Sequence, residues 1–101
     1  MVEQATRKSE VLAVLREHKP TLVERFGVVE LAVFGSTVRD EAGPDSDVDI
    51  LVSFDRPTDP DCYFGVQFYI EDLLGRPVDL VTDKALRSEL RPYVEAEAVR
   101  V

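Results

Sequence analysis

Apolar positions along the chain alternate between a helical and a strand-like period, and their succession predicts a small α/β domain. Val11, Leu12 and Leu15 share one helical stripe over Ser9 to His18, with charged residues around them. Pro20 interrupts that pattern, and Leu22, Val23 and Phe26 predict a further turn or two ending at Gly27. Val28 to Phe34 is rich in β-branched and apolar residues, which predicts a buried strand ended by Gly35. Thr37 to Glu41 reads as a short helix, and Gly43-Pro44-Asp45 as a loop. From Asp47 to Phe54 the period is two: Val48, Ile50 and Val52 fall on one face, Asp47, Asp49 and Leu51 on the other.

Pro57 to Pro60 reads as a loop, and Asp61 as the N-cap of a helix running to Leu74. Val66, Ile70, Leu73 and Leu74 form its apolar stripe, and Gly75 suits the position just past its end. Pro77 to Val81 predicts a short third strand with Asp79 facing away from Val78 and Leu80. A last helix runs through Glu89 to Ala96, starting near Ser88 or Pro92, and Val99 to Val101 reads as a short terminal strand. The order αβαβαβα predicts an α/β fold with a small sheet covered by helices mainly on one face. Residues 1 to 101 form one domain on this reading, with residues 1 to 6 frayed.

Composition narrows the function classes. A hydrophobic fraction of 45% argues against global disorder. The apolar runs are far shorter than the roughly 20 residues needed to span a membrane, so no membrane association is expected. Met1-Val2-Glu3-Gln4 carries no secretory signal, and Cys62, the single cysteine, has no internal partner; together they predict a cytoplasmic protein. The net charge of −8, from 12 basic and 20 acidic residues, disfavours direct nucleic-acid binding. It favours a divalent cation or a basic protein partner, although a merely solvated acidic surface accounts for the global charge equally well. The charge becomes informative where carboxylates cluster.

Asp47 and Asp49 are such a cluster. Residues two apart in a strand project together, and two adjacent carboxylates repel unless a cation or a shared proton lies between them. Ten residues upstream, Gly35-Ser36 forms a small-residue turn whose backbone N–H groups can approach a phosphate, with the Ser36 hydroxyl as a further donor. Any strand-to-helix connection favours Gly and Ser, so the turn carries weight only beside the aspartates. Asp79 lies within an apolar Pro-Val-Asp-Leu-Val run, costly unless paired or metal-bound. If its strand lies beside Asp47 to Val52, three carboxylates surround one cation site, and such an oxygen-only set suits Mg²⁺. Capping of a turn at an edge strand is the alternative for Asp79 taken alone. Arg39 is placed either to steady a phosphate or to pair with Asp45 or Asp47. Ser46 shapes the turn before the strand.

Gly35-Ser36-Thr37-Val38-Arg39 through Ser46-Asp47-Val48-Asp49-Ile50-Leu51-Val52 resembles the signature of the polymerase-beta nucleotidyltransferase superfamily. The short length and Gly75-Arg76-Pro77-Val78-Asp79-Leu80-Val81 resemble its minimal nucleotidyltransferase (MNT) antitoxin branch, over roughly residues 10 to 101. The resemblance implies a small mixed sheet and transfer of AMP from ATP to an acceptor hydroxyl, with release of pyrophosphate. It implies that Asp47 and Asp49 hold two Mg²⁺ ions and that Asp79 binds the metal beside the attacking hydroxyl and helps take its proton. Gly35 and Ser36, with Arg39 nearby, would hold the β- and γ-phosphates.

The resemblance also implies a partner: a HEPN-type ribonuclease toxin encoded nearby, AMPylated on a tyrosine by its antitoxin. Two alternatives remain. One is transfer to a small molecule with a separate substrate-binding subunit; the other is an antitoxin that neutralises its partner by occlusion without catalysis. His18, the single histidine, lies on a surface helix and receives no catalytic role. Tyr63, Phe64, Phe68 and Tyr69 exceed what one core-facing stripe absorbs, which points to contact with a partner or a second copy.

Overall fold

The computed structural model describes residues 8–39, 41, 46–57 and 59–101. The expected frayed start and the Gly43-Pro44-Asp45 loop lie outside these residues. Three helices, α1 (Lys8–Phe26), α2 (Pro60–Leu74) and α3 (Arg91–Glu97), accompany strands β1 (Val28–Phe34), β2 (Val48–Phe54), β3 (Val78–Thr82) and β4 (Val99–Arg100).

The strands form one mixed sheet in the order β3-β2-β1-β4. β1 runs antiparallel to β2, with Phe34 opposite Asp49, and antiparallel to β4, with Val33 opposite Val99. β2 and β3 are parallel and in register, pairing Val48 with Val78, Asp49 with Asp79 and Ile50 with Leu80. Parallel neighbours need a long crossover, and α2 supplies it. The strand period then sorts the residues. Leu31, Val33, Val48, Ile50, Val52, Val78 and Leu80 are buried against Val11, Leu15 and Leu22 of α1 and Val66, Ile70 and Leu74 of α2. The opposite face carries the aspartates.

Several local features depart from the sequence reading. α1 runs unbroken through Pro20. A proline inside a helix forfeits one backbone hydrogen bond and costs about 3 kcal/mol. Fully burying Leu22, two turns beyond Leu15 on the stripe of Val11 and Leu15, offsets about 1.5–3 kcal/mol of that. The cap of α2 is Asp59, not Asp61: its carboxylate accepts from the Cys62 N–H at 2.9 Å. Pro60 explains the difference, because it fits the first helical position and moves the start of the helix forward. Gly75 ends α2 at φ 66°, in the left-handed region.

Of the helix expected over Thr37 to Glu41, Asp40 lies outside the described residues, and the described ones form a 3-10 turn at Gly35–Thr37. α3 begins at Arg91, with Pro92 in its first turn, and buries none of its residues. It is held by Arg91, which donates to the Asp83 carboxylate and to the Asp83 carbonyl, each at 2.8 Å. His18, on α1, is half-buried, and its Nδ1 lies 3.1 Å from the Tyr69 hydroxyl across the α1–α2 contact. Of the aromatic group on α2, Tyr63 and Tyr69 pack against the core, while Phe64 and Phe68 remain 48% and 59% exposed.

Candidate active site

The antiparallel pairing of Phe34 with Asp49 brings the end of β1 against the start of β2. Gly35 follows at φ 76°, and a Cβ built there would lie 2.1 Å from Asp49 Oδ2. No side chain larger than hydrogen fits, so the backbone of the Gly35-Ser36 turn sits directly on the Asp49 carboxylate. Ser36 is half-buried, and Thr37 beyond it is buried with its hydroxyl lacking a hydrogen-bond partner among the described residues.

The parallel register sets Asp79 directly beside Asp49 on the open face, and Asp47 precedes Asp49 by two positions. The electrostatic consequence falls on Asp49. Burial of its carboxyl, then the neighbouring negative charges of Asp79 and Asp47, push its pKa up to about 6. A side-chain hydrogen bond with Asp79 adds to the rise, and the Arg39 guanidinium opposes it. The ionised Asp49 carboxylate is therefore disfavoured in this setting, as expected for adjacent like charges in a partly buried place. Among the described residues no three metal-ligating side chains are already drawn together as a cage. The donor set is nevertheless oxygen-only, crowded and short of positive charge, which is the chemistry that a hard divalent cation satisfies.

Of the two aspartates expected as partners of Arg39, Asp45 lies outside the described residues, and among these residues the ion pairs of Arg39 are to glutamates and not to Asp47. Its guanidinium instead binds Glu41 at 2.7 Å and Glu97 of α3 at 2.9 Å. Glu97 also accepts from the Gly35 backbone N–H at 2.7 Å. Sequence reasoning missed Glu97 because it stands in a charge-rich helix where Glu95 looks equivalent; only the return of the chain into β4 aims it at the turn.

Arg76 was missed as well. It is 3% exposed, and its guanidinium donates to the Ser46 carbonyl, tying the approach to β3 to the residue just before Asp47. Its place between Gly75 and Pro77, at the start of a buried strand, was a signal that it could not reach solvent. On α2, Glu71 accepts from the Val78 N–H at 2.9 Å and Tyr63 donates to the Leu80 carbonyl, so both neighbours of Asp79 are fixed from the helical side. Further along the open face, beyond Leu51, a cavity of about 230 Å³ is lined by Ser53, Glu30, Glu95 and Arg100.

Comparison with known proteins gives a family match and likenesses of sequence and fold. A family model for the nucleotidyltransferase domain matches residues 15–101. The chain is 47% identical over 92 residues to the protein adenylyltransferase MntA of Thermococcus cleftensis, covering 91% of this chain and 93% of that one. A solved structure described as a minimal nucleotidyltransferase superposes with a TM-score of 0.81 at 35% identity, covering 98% of this chain and 100% of the other. A complex of a tri-AMPylated Shewanella oneidensis HEPN toxin with its MNT antitoxin superposes with a TM-score of 0.57 at 19% identity, covering 92% of this chain and 66% of that chain. This last likeness is one of fold alone.

Proposed function

The chain belongs to the nucleotidyltransferase domain family, in its minimal branch, and from that membership we propose that it is a Mg²⁺-dependent antitoxin that transfers AMP from ATP to a tyrosine of a HEPN-type toxin. One observation carries the reading: the parallel register that sets Asp79 beside Asp49, with the Gly35 turn packed on the same carboxylate. The name of the Thermococcus cleftensis relative, a protein adenylyltransferase, supports a protein acceptor. The shared fold with the antitoxin of an AMPylated HEPN complex supports that kind of partner. No helix among the described residues is long and apolar enough to cross a membrane, and we place the protein in the cytoplasm, where ATP is supplied.

Asp47, Asp49 and Asp79 would hold two Mg²⁺ ions, which neutralise triphosphate charge and make the acceptor hydroxyl more acidic. The chain's own groups supply positioning. The Gly35 N–H, the Ser36 hydroxyl and Arg39 hold the terminal phosphates, leaving the α-phosphorus facing the aspartates. Asp79 is on the edge strand and exposed, so a hydroxyl from a second protein can reach it. The acceptor oxygen bonds to the α-phosphorus, the bond to pyrophosphate breaks, and the hydroxyl proton passes to the Asp79 carboxylate.

The test is incubation with the candidate HEPN partner, ATP and Mg²⁺, read by intact-mass spectrometry. An AMP-sized gain on the partner, lost in Asp47→Asn with Asp49→Asn, is expected. Neutralisation of the toxin without any mass gain would replace transfer by occlusion. A gain retained in the double variant would reject the site.

A further inference from the structure

We infer that Glu97 is a built-in occupant of the phosphate-anchoring site, a carboxylate that the nucleotide's terminal phosphates displace on binding. The inference rests on the nucleotidyltransferase reading above and adds a regulatory element to that site.

The geometry is that of an anion in an anion site. One oxygen of Glu97 accepts from the Gly35 N–H at 2.7 Å and from Arg39 Nη1 at 3.2 Å; the other accepts from Arg39 Nη1 at 2.9 Å. A backbone N–H freed by a left-handed glycine and a guanidinium are the donors that bind a phosphoryl oxygen. Here the chain's own carboxylate occupies the Gly35 N–H and the Nη1 side of the guanidinium, whose Nε donates to Glu41. The contact spans 62 residues of sequence between Gly35 and Glu97, so it is set by the tertiary fold and not by local turn chemistry.

The element that carries Glu97 is easily moved. α3 has seven residues and buries none of them, and it leads through Ala98 into a strand only two residues long. Such elements sit at the low end of local stability. The side chain is itself partly exposed and has three rotatable torsions, so it can leave the turn without the backbone moving. If it stays, its negative charge lies against the incoming phosphate. Nucleotide therefore binds against a competing internal ligand, and removing that ligand's charge tightens binding.

The experiment uses the full chain in EDTA with inorganic tripolyphosphate, a probe that needs neither metal nor catalysis, and with AMP, which lacks the terminal phosphates. Calorimetry of Glu97→Gln and Glu97→Ala is expected to show tripolyphosphate affinity raised roughly tenfold over the unsubstituted protein, with AMP affinity unchanged. Equal or weaker tripolyphosphate binding by both variants overturns the inference. A readout that needs no variant is the NMR titration of the unsubstituted protein. The Gly35 amide and the Glu97 side-chain carboxyl resonances are expected to shift together as tripolyphosphate is added. A shift at Gly35 with the Glu97 carboxyl unmoved overturns it equally. Failure of AMP transfer with these binding results intact rejects the proposed activity alone.

Discussion

Asp49→Asn is expected to make the metal-free protein more stable while removing its transfer activity. The magnitude follows from the carboxyl's environment. Its pKa rises from 3.8 to about 6 in the fold, so the ionised form is disfavoured there relative to the unfolded chain. At about 1.36 kcal/mol per pKa unit the ceiling is about 3 kcal/mol. Asp49 is only half-buried, and solvent screening reduces this to about 1 kcal/mol. In a domain of this size that corresponds to about 5 °C in melting temperature.

The sign is fixed by linkage. A raised folded-state pKa means that the stability associated with this group is fully present below 3.8 and is lost as pH rises through about 6. Asparagine carries no charge and keeps an N–H to donate to Asp79, so it escapes that loss. Thermal melts in EDTA should therefore show the variant above the unsubstituted protein at neutral pH, with the gap closing as pH falls towards 3.8. Added Mg²⁺ should raise the melting temperature of the unsubstituted protein and leave the variant nearly unmoved. A variant that melts at or below the unsubstituted protein in EDTA at neutral pH would refute the reasoning.

Gly35→Ala combines a left-handed backbone with a methyl placed 2.1 Å from Asp49 Oδ2, so it should cost at least about 2 kcal/mol in chemical denaturation and abolish transfer. An unchanged denaturation midpoint would contradict the packing of the turn on Asp49. Thr37→Val removes a buried hydroxyl without a partner among the described residues and should stabilise the fold by about 1 kcal/mol, read by the same method. Pro20→Ala restores a backbone donor inside α1; after allowance for a freer unfolded chain it should raise stability by about 1–2 kcal/mol, and a melting temperature that fails to rise would count against it.

The sheet and its active face were legible because strand periodicity is strict. Val48, Ile50 and Val52 could face only one way, which left Asp49 on the other, and a one-residue slip would have exposed the whole apolar set. The same logic applied to Asp79 between Val78 and Leu80. What the sequence left unread depends on long-range geometry. Pro20 looked like a break because the cost of a helical proline is local, whereas the burial of Leu22 that offsets it is tertiary. Asp61 and Asp59 are both acceptable caps in isolation, and only the start of the helix at Pro60 decides between them. Glu97 and Arg76 act on residues 62 and 30 positions away, and no local pattern marks such pairs.

The position of each aspartate in the sheet explains why the strain falls on one of them. Asp79 is on an edge strand and Asp47 precedes β2, so both are exposed and can turn toward water. Asp49 is in the central strand, paired with β1 on one side and β3 on the other, and the Gly35 backbone rests on its carboxylate. Its backbone cannot shift without breaking two ladders, and the Gly35 turn limits the room left to its carboxylate. A confined carboxylate beside two exposed ones keeps one ligand preorganised, while the others have room to adjust as a nucleotide and an acceptor arrive. On this argument the three aspartates are not interchangeable. Loss of Asp49 should remove the affinity for metal, and Asp79→Asn should lower the rate of transfer more than nucleotide binding. Equal effects of the two substitutions on Mg²⁺ affinity, measured by calorimetry with a bound non-hydrolysable ATP analogue, would show that the rigidity of the central strand does not set the site.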